Sequence, residues 1–120
     1  MNELVIGVVG PCAAGKTTLI QGLKRLGYPA KHIAQEHSYV PNMWQRITHP
    51  DILIYLDVSY LLAMKRRKLD WTIAEYQQEI FRLRHAREHA HLYVNTDDIS
   101  PEEVLRLVVG FVAKINRPTS

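Results

Sequence analysis

Apolar positions along this chain change their spacing several times, and each change predicts an element. Leu4-Val5-Ile6-Gly7-Val8-Val9 is a nearly continuous apolar run of strand length. Leu19, Ile20, Leu23 and Leu26 then recur at helical spacing, which predicts a helix from Gly15 to about Leu26, stopped by Gly27 as a left-handed cap with Pro29 beyond. Lys31 to His37 stands at the distance of a crossover connection and reads as a short strand, although only Ile33 and Ala34 are apolar. Ser38 to Pro50 carries Pro41 and Pro50 as breakers and allows at most a helical turn around Met43 to Ile47. Asp51 to Val58 is again almost wholly apolar, as expected of a central parallel strand buried on both faces.

The second half alternates in the same way. Ser59 is placed to cap a helix that turns Leu61, Leu62 and Met64 inward and becomes basic at Lys65, Arg66, Arg67 and Lys68, with Asp70 and Trp71 interrupting it. Thr72-Ile73-Ala74-Glu75 is a capping-box sequence opening a long helix to about His89, with Ile73, Tyr76, Ile80 and Leu83 on one face. Leu92-Tyr93-Val94 reads as a last strand. Ser100-Pro101-Glu102-Glu103 begins a final helix, on which Val104, Leu107, Val108, Phe111, Val112 and Ile115 share a face. Strands alternating with helices predict a parallel sheet of about four strands covered on both faces, a three-layer α/β/α architecture. Ligands of such sheets bind at the carboxyl ends of the strands.

Composition narrows this picture without changing it. The 120 residues, 47% of them apolar, suffice for one modest core, so we expect a single domain over residues 1–116 and a frayed tail at 117–120. The N-terminal apolar run is too short for a membrane span or a secretory signal. With one cysteine no disulfide forms within the chain, and a cytoplasmic setting is expected. A net charge of +3 suits a polyphosphate ligand and is too small and scattered to argue for nucleic acid.

Chemistry enters at the junction of the first strand and helix. Gly10-Pro11-Cys12-Ala13-Ala14-Gly15-Lys16-Thr17-Thr18 has the spacing G-x-x-x-x-G-K-T, with a strand before it and a helix after it, as a phosphate-binding loop requires. Gly10 and Gly15 supply backbone angles that side chains forbid. Amides from Cys12 to Thr18 then converge on phosphate oxygens at the positive end of the helix. Lys16 is expected to reach the β and γ phosphates, Thr17 to ligate Mg²⁺, and Thr18 to bond an inner phosphate.

With that loop, Tyr55-Leu56-Asp57-Val58-Ser59 and the basic helix after it in view, the chain resembles the P-loop small-molecule kinases, nearest to the nucleoside monophosphate kinases and their adenylate kinase relatives, reduced in size. The resemblance implies a P-loop NTPase fold, ATP and Mg²⁺ as cofactors, and transfer of the γ-phosphoryl group to a nucleotide or other small-molecule acceptor. In those kinases an arginine lies nine residues after the strand-end aspartate, and the same count from Asp57 reaches Arg66. A second family pattern, ending in Arg-x-Arg-Leu, is similar to Gln78-Glu79-Ile80-Phe81-Arg82-Leu83-Arg84. The resemblance thus implies that Arg66 stacks on the base or holds the lid, that Arg82 approaches the transferring phosphoryl group, and that Asn95 to Ser100 borders the adenine. The chain departs from the family in two places. Residues 38–50 leave no room for the usual acceptor subdomain, and Asp70 to Thr72 leaves only a turn for the lid. A nucleotide-binding regulatory module without kinase activity is therefore the alternative, and a homodimer is one way to complete the acceptor pocket.

Two carboxylates compete for the metal or base role. Asp57 ends an apolar strand, whereas Glu36 ends the strand expected beside the first one and resembles the base or Mg²⁺ contact of deoxynucleoside kinases. Arg67, Arg84 and Arg87 read as a solvated basic face. His85, His89 and His91 lack a Glu or Cys to complete a metal site, and Trp44 and Trp71 read as seals of the core. Asn95-Thr96-Asp97-Asp98 has the spacing of a guanine-reading motif but lacks its lysine, and no Asp-x-x-Gly switch is present, which argues against a regulatory GTPase.

Overall fold

A computed structural model describes residues 4–67 and 72–115. Its elements are β1 (Ile6–Val9), α1 (Lys16–Arg25), β2 (Ala30–His32), a single 3₁₀ turn (Gln35–His37), α2 (Met43–Thr48), β3 (Ile52–Asp57), α3 (Tyr60–Arg67), α4 (Ile73–Arg82), α5 (Arg84–His89), β4 (Leu92–Asn95) and α6 (Pro101–Ile115). The side chain of Arg67, together with Lys68, Asp70, Trp71 and the tail at 117–120, lies outside the described residues. The four strands are all parallel, in the order β2-β1-β3-β4, with Ile6 opposite Ala30 on one side and Ile52 on the other.

The continuous apolar runs become the two interior strands because both faces of the sheet are covered. On one face Ile6, Val8, Ile52, Ile54 and Leu56 pack with Leu19, Leu23, Val104 and Val108 from α1 and α6. On the other, Val9, Leu53 and Tyr55 meet Ile33, Trp44, Leu83 and Ala86. Alternate residues of one strand therefore serve two cores. The chain runs outward from β1 to β2, then returns across β1 to β3 and β4. This reversal puts the crevice for a ligand at the carboxyl ends of β1 and β3.

Several expectations change in the structure. The predicted strand to His37 ends at His32, and Gln35–His37 curl into a 3₁₀ turn. The cause is Gln35, which is fully buried: its amide donates to the carbonyls of Val40 (2.8 Å) and Arg82 (3.1 Å) and accepts from the Trp44 N–H (2.7 Å). The same contact divides the predicted long helix, because the Arg82 carbonyl is drawn to Gln35 and the helix is interrupted at Leu83. Leu61 and Ile73, expected inward, are 79% and 57% exposed, and Ala63 and Glu79 are the buried residues of their helices. Leu107 and Ile115 also stay largely exposed. Both capping boxes form, Thr72 with Glu75 and Ser100 with Glu103.

Candidate functional site

The loop leaving β1 takes three left-handed bends, at Gly10 (φ 153°), Ala13 (φ 71°) and Gly15 (φ 94°). Gly10 has no alternative residue, since a Cβ there would stand 2.0 Å from the Leu56 carbonyl oxygen of β3. Gly15 is the N-cap of α1 and offers no side chain to the helix end. Leu19 makes the bond back to Gly15 (3.1 Å), so the first-turn amides of Lys16, Thr17 and Thr18 precede the helical ladder and remain for a ligand. These are the requirements of an anion nest. Ala13 adopts its left-handed angle without being glycine, which the sequence does not reveal.

Lys16 is buried, and its ammonium bonds the Gly10 carbonyl and Glu36 Oε2 while lying 3.5 Å from the Pro11 carbonyl. Glu36 is 2% exposed; its second oxygen, Oε1, is buried with no hydrogen-bond partner. Of the two competing carboxylates, the structure brings Glu36 to the loop. Asp57 is engaged elsewhere, accepting from the Val58 N–H (2.9 Å) and from the Tyr93 hydroxyl of β4.

Arg66 reaches across the loop from α3. Its guanidinium donates to the Ala13 carbonyl (3.2 Å), to Thr96 Oγ1 (3.0 Å) and to the Thr96 carbonyl (2.6 Å). Beside it lies a cavity of about 220 Å³ lined by Ala14, Thr18, Arg66, Thr96, Ile99 and Val104 among others, so that the loop after β4 and the phosphate loop share its wall. A second cleft, of about 340 Å³, opens over Cys12, Lys16, Thr17, Glu36 and His37. Among the described residues, Arg82 makes no hydrogen bond to the phosphate loop. It donates to the Glu36 carbonyl (3.3 Å) and the Tyr39 hydroxyl (3.0 Å) and stacks on the Tyr39 ring, so it braces the turn that carries Glu36.

Glu79 is the residue that sequence reasoning missed. It is 4% exposed, and its Oε1 accepts from the Cys12 amide of the phosphate loop at 2.5 Å. Burial pushes its carboxyl up, opposed by the bond from Cys12 and raised further by the charge of Glu36. The signal available was its place between Tyr76 and Leu83 on the inner face of α4. Burial, then the Glu79 charge, pushes the Cys12 thiol up to about 11. Trp44 is a core seal, its indole N–H donating to His85 Nδ1 (3.0 Å), and among the described residues His85, His89 and His91 form no metal cluster.

No family model matches the chain, and no curated protein matches it. Among solved structures it is similar to a shikimate kinase from Acinetobacter baumannii in complex with shikimate, with a TM-score of 0.65 at 14% identity over 98% of this chain and 97% of that one. It is also similar to a response regulator from Burkholderia multivorans, with a TM-score of 0.50 at 16% identity over 100% of this chain and 99% of that one. At such identities the likeness is one of fold. It does not single out the adenylate kinase branch, and no helix among the described residues is long and apolar enough to cross a membrane. The chain has a three-layer α/β fold with its four strands parallel, a fold like that of the shikimate kinase.

Proposed function

We propose that this chain is a P-loop kinase that transfers the γ-phosphoryl group of ATP, with Mg²⁺, to a small-molecule acceptor. The observation that carries this reading is Lys16, held by a buried carboxylate beside an uncapped helix N-terminus. The free, buried Oε1 of Glu36 and the exposed Thr17 hydroxyl are oxygen donors of the kind Mg²⁺ takes, and they fit that ion. Mg²⁺ supplies charge neutralisation on the phosphoryl oxygens when bound. The chain's own residues do the positioning. The loop amides hold the phosphates, Lys16 exchanges its carboxylate partner for phosphate charge, and Arg66 ties the loop to the cavity where a base would lie. Glu36, released by Lys16, is then free to orient the acceptor or take its proton. Arg82 is a positioning residue acting through the Glu36 turn.

The short segment between the 3₁₀ turn and β3, which holds only α2, favours a second reading: a nucleotide-binding module without an acceptor. One experiment separates the two. Phosphate transfer from ATP is measured across nucleosides, nucleoside monophosphates and small alcohols, beside calorimetry of Mg-ATP binding to wild type and to Thr17→Ala. Transfer to one acceptor class, lost in Thr17→Ala, supports the kinase. Tight binding weakened by Thr17→Ala with no transfer supports the module, and no binding at all overturns both.

A further inference from the structure

The phosphate loop and the 3₁₀ turn also assemble three side chains whose donors are not all oxygen. The Cys12 thiol, the Glu36 carboxylate and a ring nitrogen of His37 lie within 4.8 Å of one another, with His37 Nε2 4.0 Å from Glu36 Oε2. The parallel pairing of β1 with β2, continued by the bond from the Ile33 amide to the Val8 carbonyl (3.1 Å), holds the two segments side by side. A second observation concerns the same carboxylate that the proposed function offers to Mg²⁺: Glu36 is 2% exposed, and its Oε1 has no partner. A buried polar atom left unsatisfied costs about 1–3 kcal/mol, more when charged, and a bound cation removes that cost.

We propose that Cys12 Sγ, Glu36 and His37 form a binding site for a divalent cation of the Zn²⁺ class. Sulfur, imidazole nitrogen and carboxylate oxygen together are a donor set for Zn²⁺, whereas Mg²⁺ keeps to oxygen. Bonds of about 2.0–2.3 Å at tetrahedral angles put ligand atoms roughly 3.4–3.7 Å apart. The three groups must therefore close by roughly 1 Å, and the His37 ring is exposed and free to swing. The Cys12 thiol proton leaves to solvent as the metal–sulfur bond forms. The Lys16 ammonium beside Glu36 opposes a cation. The Glu79 carboxylate on the Cys12 amide offsets it, and with the thiolate and Glu36 leaves negative charge in excess. Among the described residues the His85–His89 pair is not joined by a third donor, and His85 Nδ1 accepts from the Trp44 indole N–H.

The site is tested with metal alone, on the full chain without nucleotide, so its outcome is independent of kinase activity. Co²⁺ serves as the probe, because a thiolate ligand gives a near-ultraviolet charge-transfer band and tetrahedral coordination gives intense visible bands. Wild type is expected to take up one Co²⁺ per chain with both signatures, to yield it to Zn²⁺, and to keep it in excess Mg²⁺. Cys12→Ser is expected to lose the charge-transfer band. His37→Ala, at an exposed position that leaves the circular dichroism unchanged, is expected to weaken Co²⁺ at least about tenfold, the lower end of what even an outer-shell partner contributes. Absence of the band in wild type overturns the proposal. So does a His37→Ala affinity equal to wild type, which reduces the observation to a thiol binding metal by itself.

Discussion

At the scale of single residues, the site is set by groups that have little freedom to be anything else. Gly10→Ala places a methyl against the Leu56 carbonyl, and the strain and overpacking together should cost about 3 kcal/mol, read as a lower midpoint in urea denaturation. Lys16→Ala is a poor test of nucleotide binding, because it leaves the buried Glu36 carboxylate unpaired, a change worth about 3–5 kcal/mol in comparable buried pairs. Lys16→Met combined with Glu36→Gln should recover most of that loss, and thermal melting of the three proteins measures it. Glu79 has its carboxyl raised in the folded chain. Between the ordinary carboxyl value and that raised value the folded state binds more protons than the unfolded state, so Glu79 makes stability fall as pH rises through this window. Glu79→Gln keeps an acceptor for the Cys12 amide, and in chelator-treated buffer it should flatten that slope and melt higher than wild type at neutral pH. A steeper slope in the variant would refute the assignment. Gly10, Lys16 and Glu36 are legible in the loop pattern and at the strand end, whereas for Glu79 only its place on the inner face of α4 is: the Cys12 amide it meets lies across the fold, and helical spacing tracks apolar positions.

Elements carry these residues to their places, and their ends are where the sequence spoke most clearly. Both capping boxes, the left-handed Gly27 after α1 and the apolar run of β3 form as the pattern predicts. The failures lie where one polar side chain redirects the backbone. Gln35 takes the Arg82 carbonyl and so shortens one predicted strand and divides one predicted helix; its amide has no periodicity to betray it. The exposure of Leu61 and Ile73 has a related cause, since a helical face is known only when its neighbour is. Thr72→Ala removes the cap of α4 and should cost about 1 kcal/mol. As α4 holds Glu79 and Arg82, faster amide exchange in its first turn is the expected local signature. Arg66 joins α3, the phosphate loop and the segment after β4 through three hydrogen bonds. Arg66→Ala should weaken Mg-ATP about tenfold, or about 1.4 kcal/mol, with the melting temperature little changed, as calorimetry beside a melt would show.

For the whole molecule, the chain order of the sheet explains how four strands suffice to place the glycine loop at the mouth of a crevice. Helices on both faces bury β1 and β3, and the reversal of strand order supplies the crevice. The helices on either side then need only one apolar stripe each. The same strand order has a consequence for behaviour at high concentration. The two segments richest in β-branched and aliphatic residues, β1 and β3, are both interior and hydrogen-bonded on each side. The outer positions fall to β2, three residues long with Lys31 and His32 exposed, and to β4, four residues long and only partly buried. Short, polar borders give another chain little to pair with, so the sequences most prone to form fibrils are withdrawn from contact for as long as the sheet stays folded.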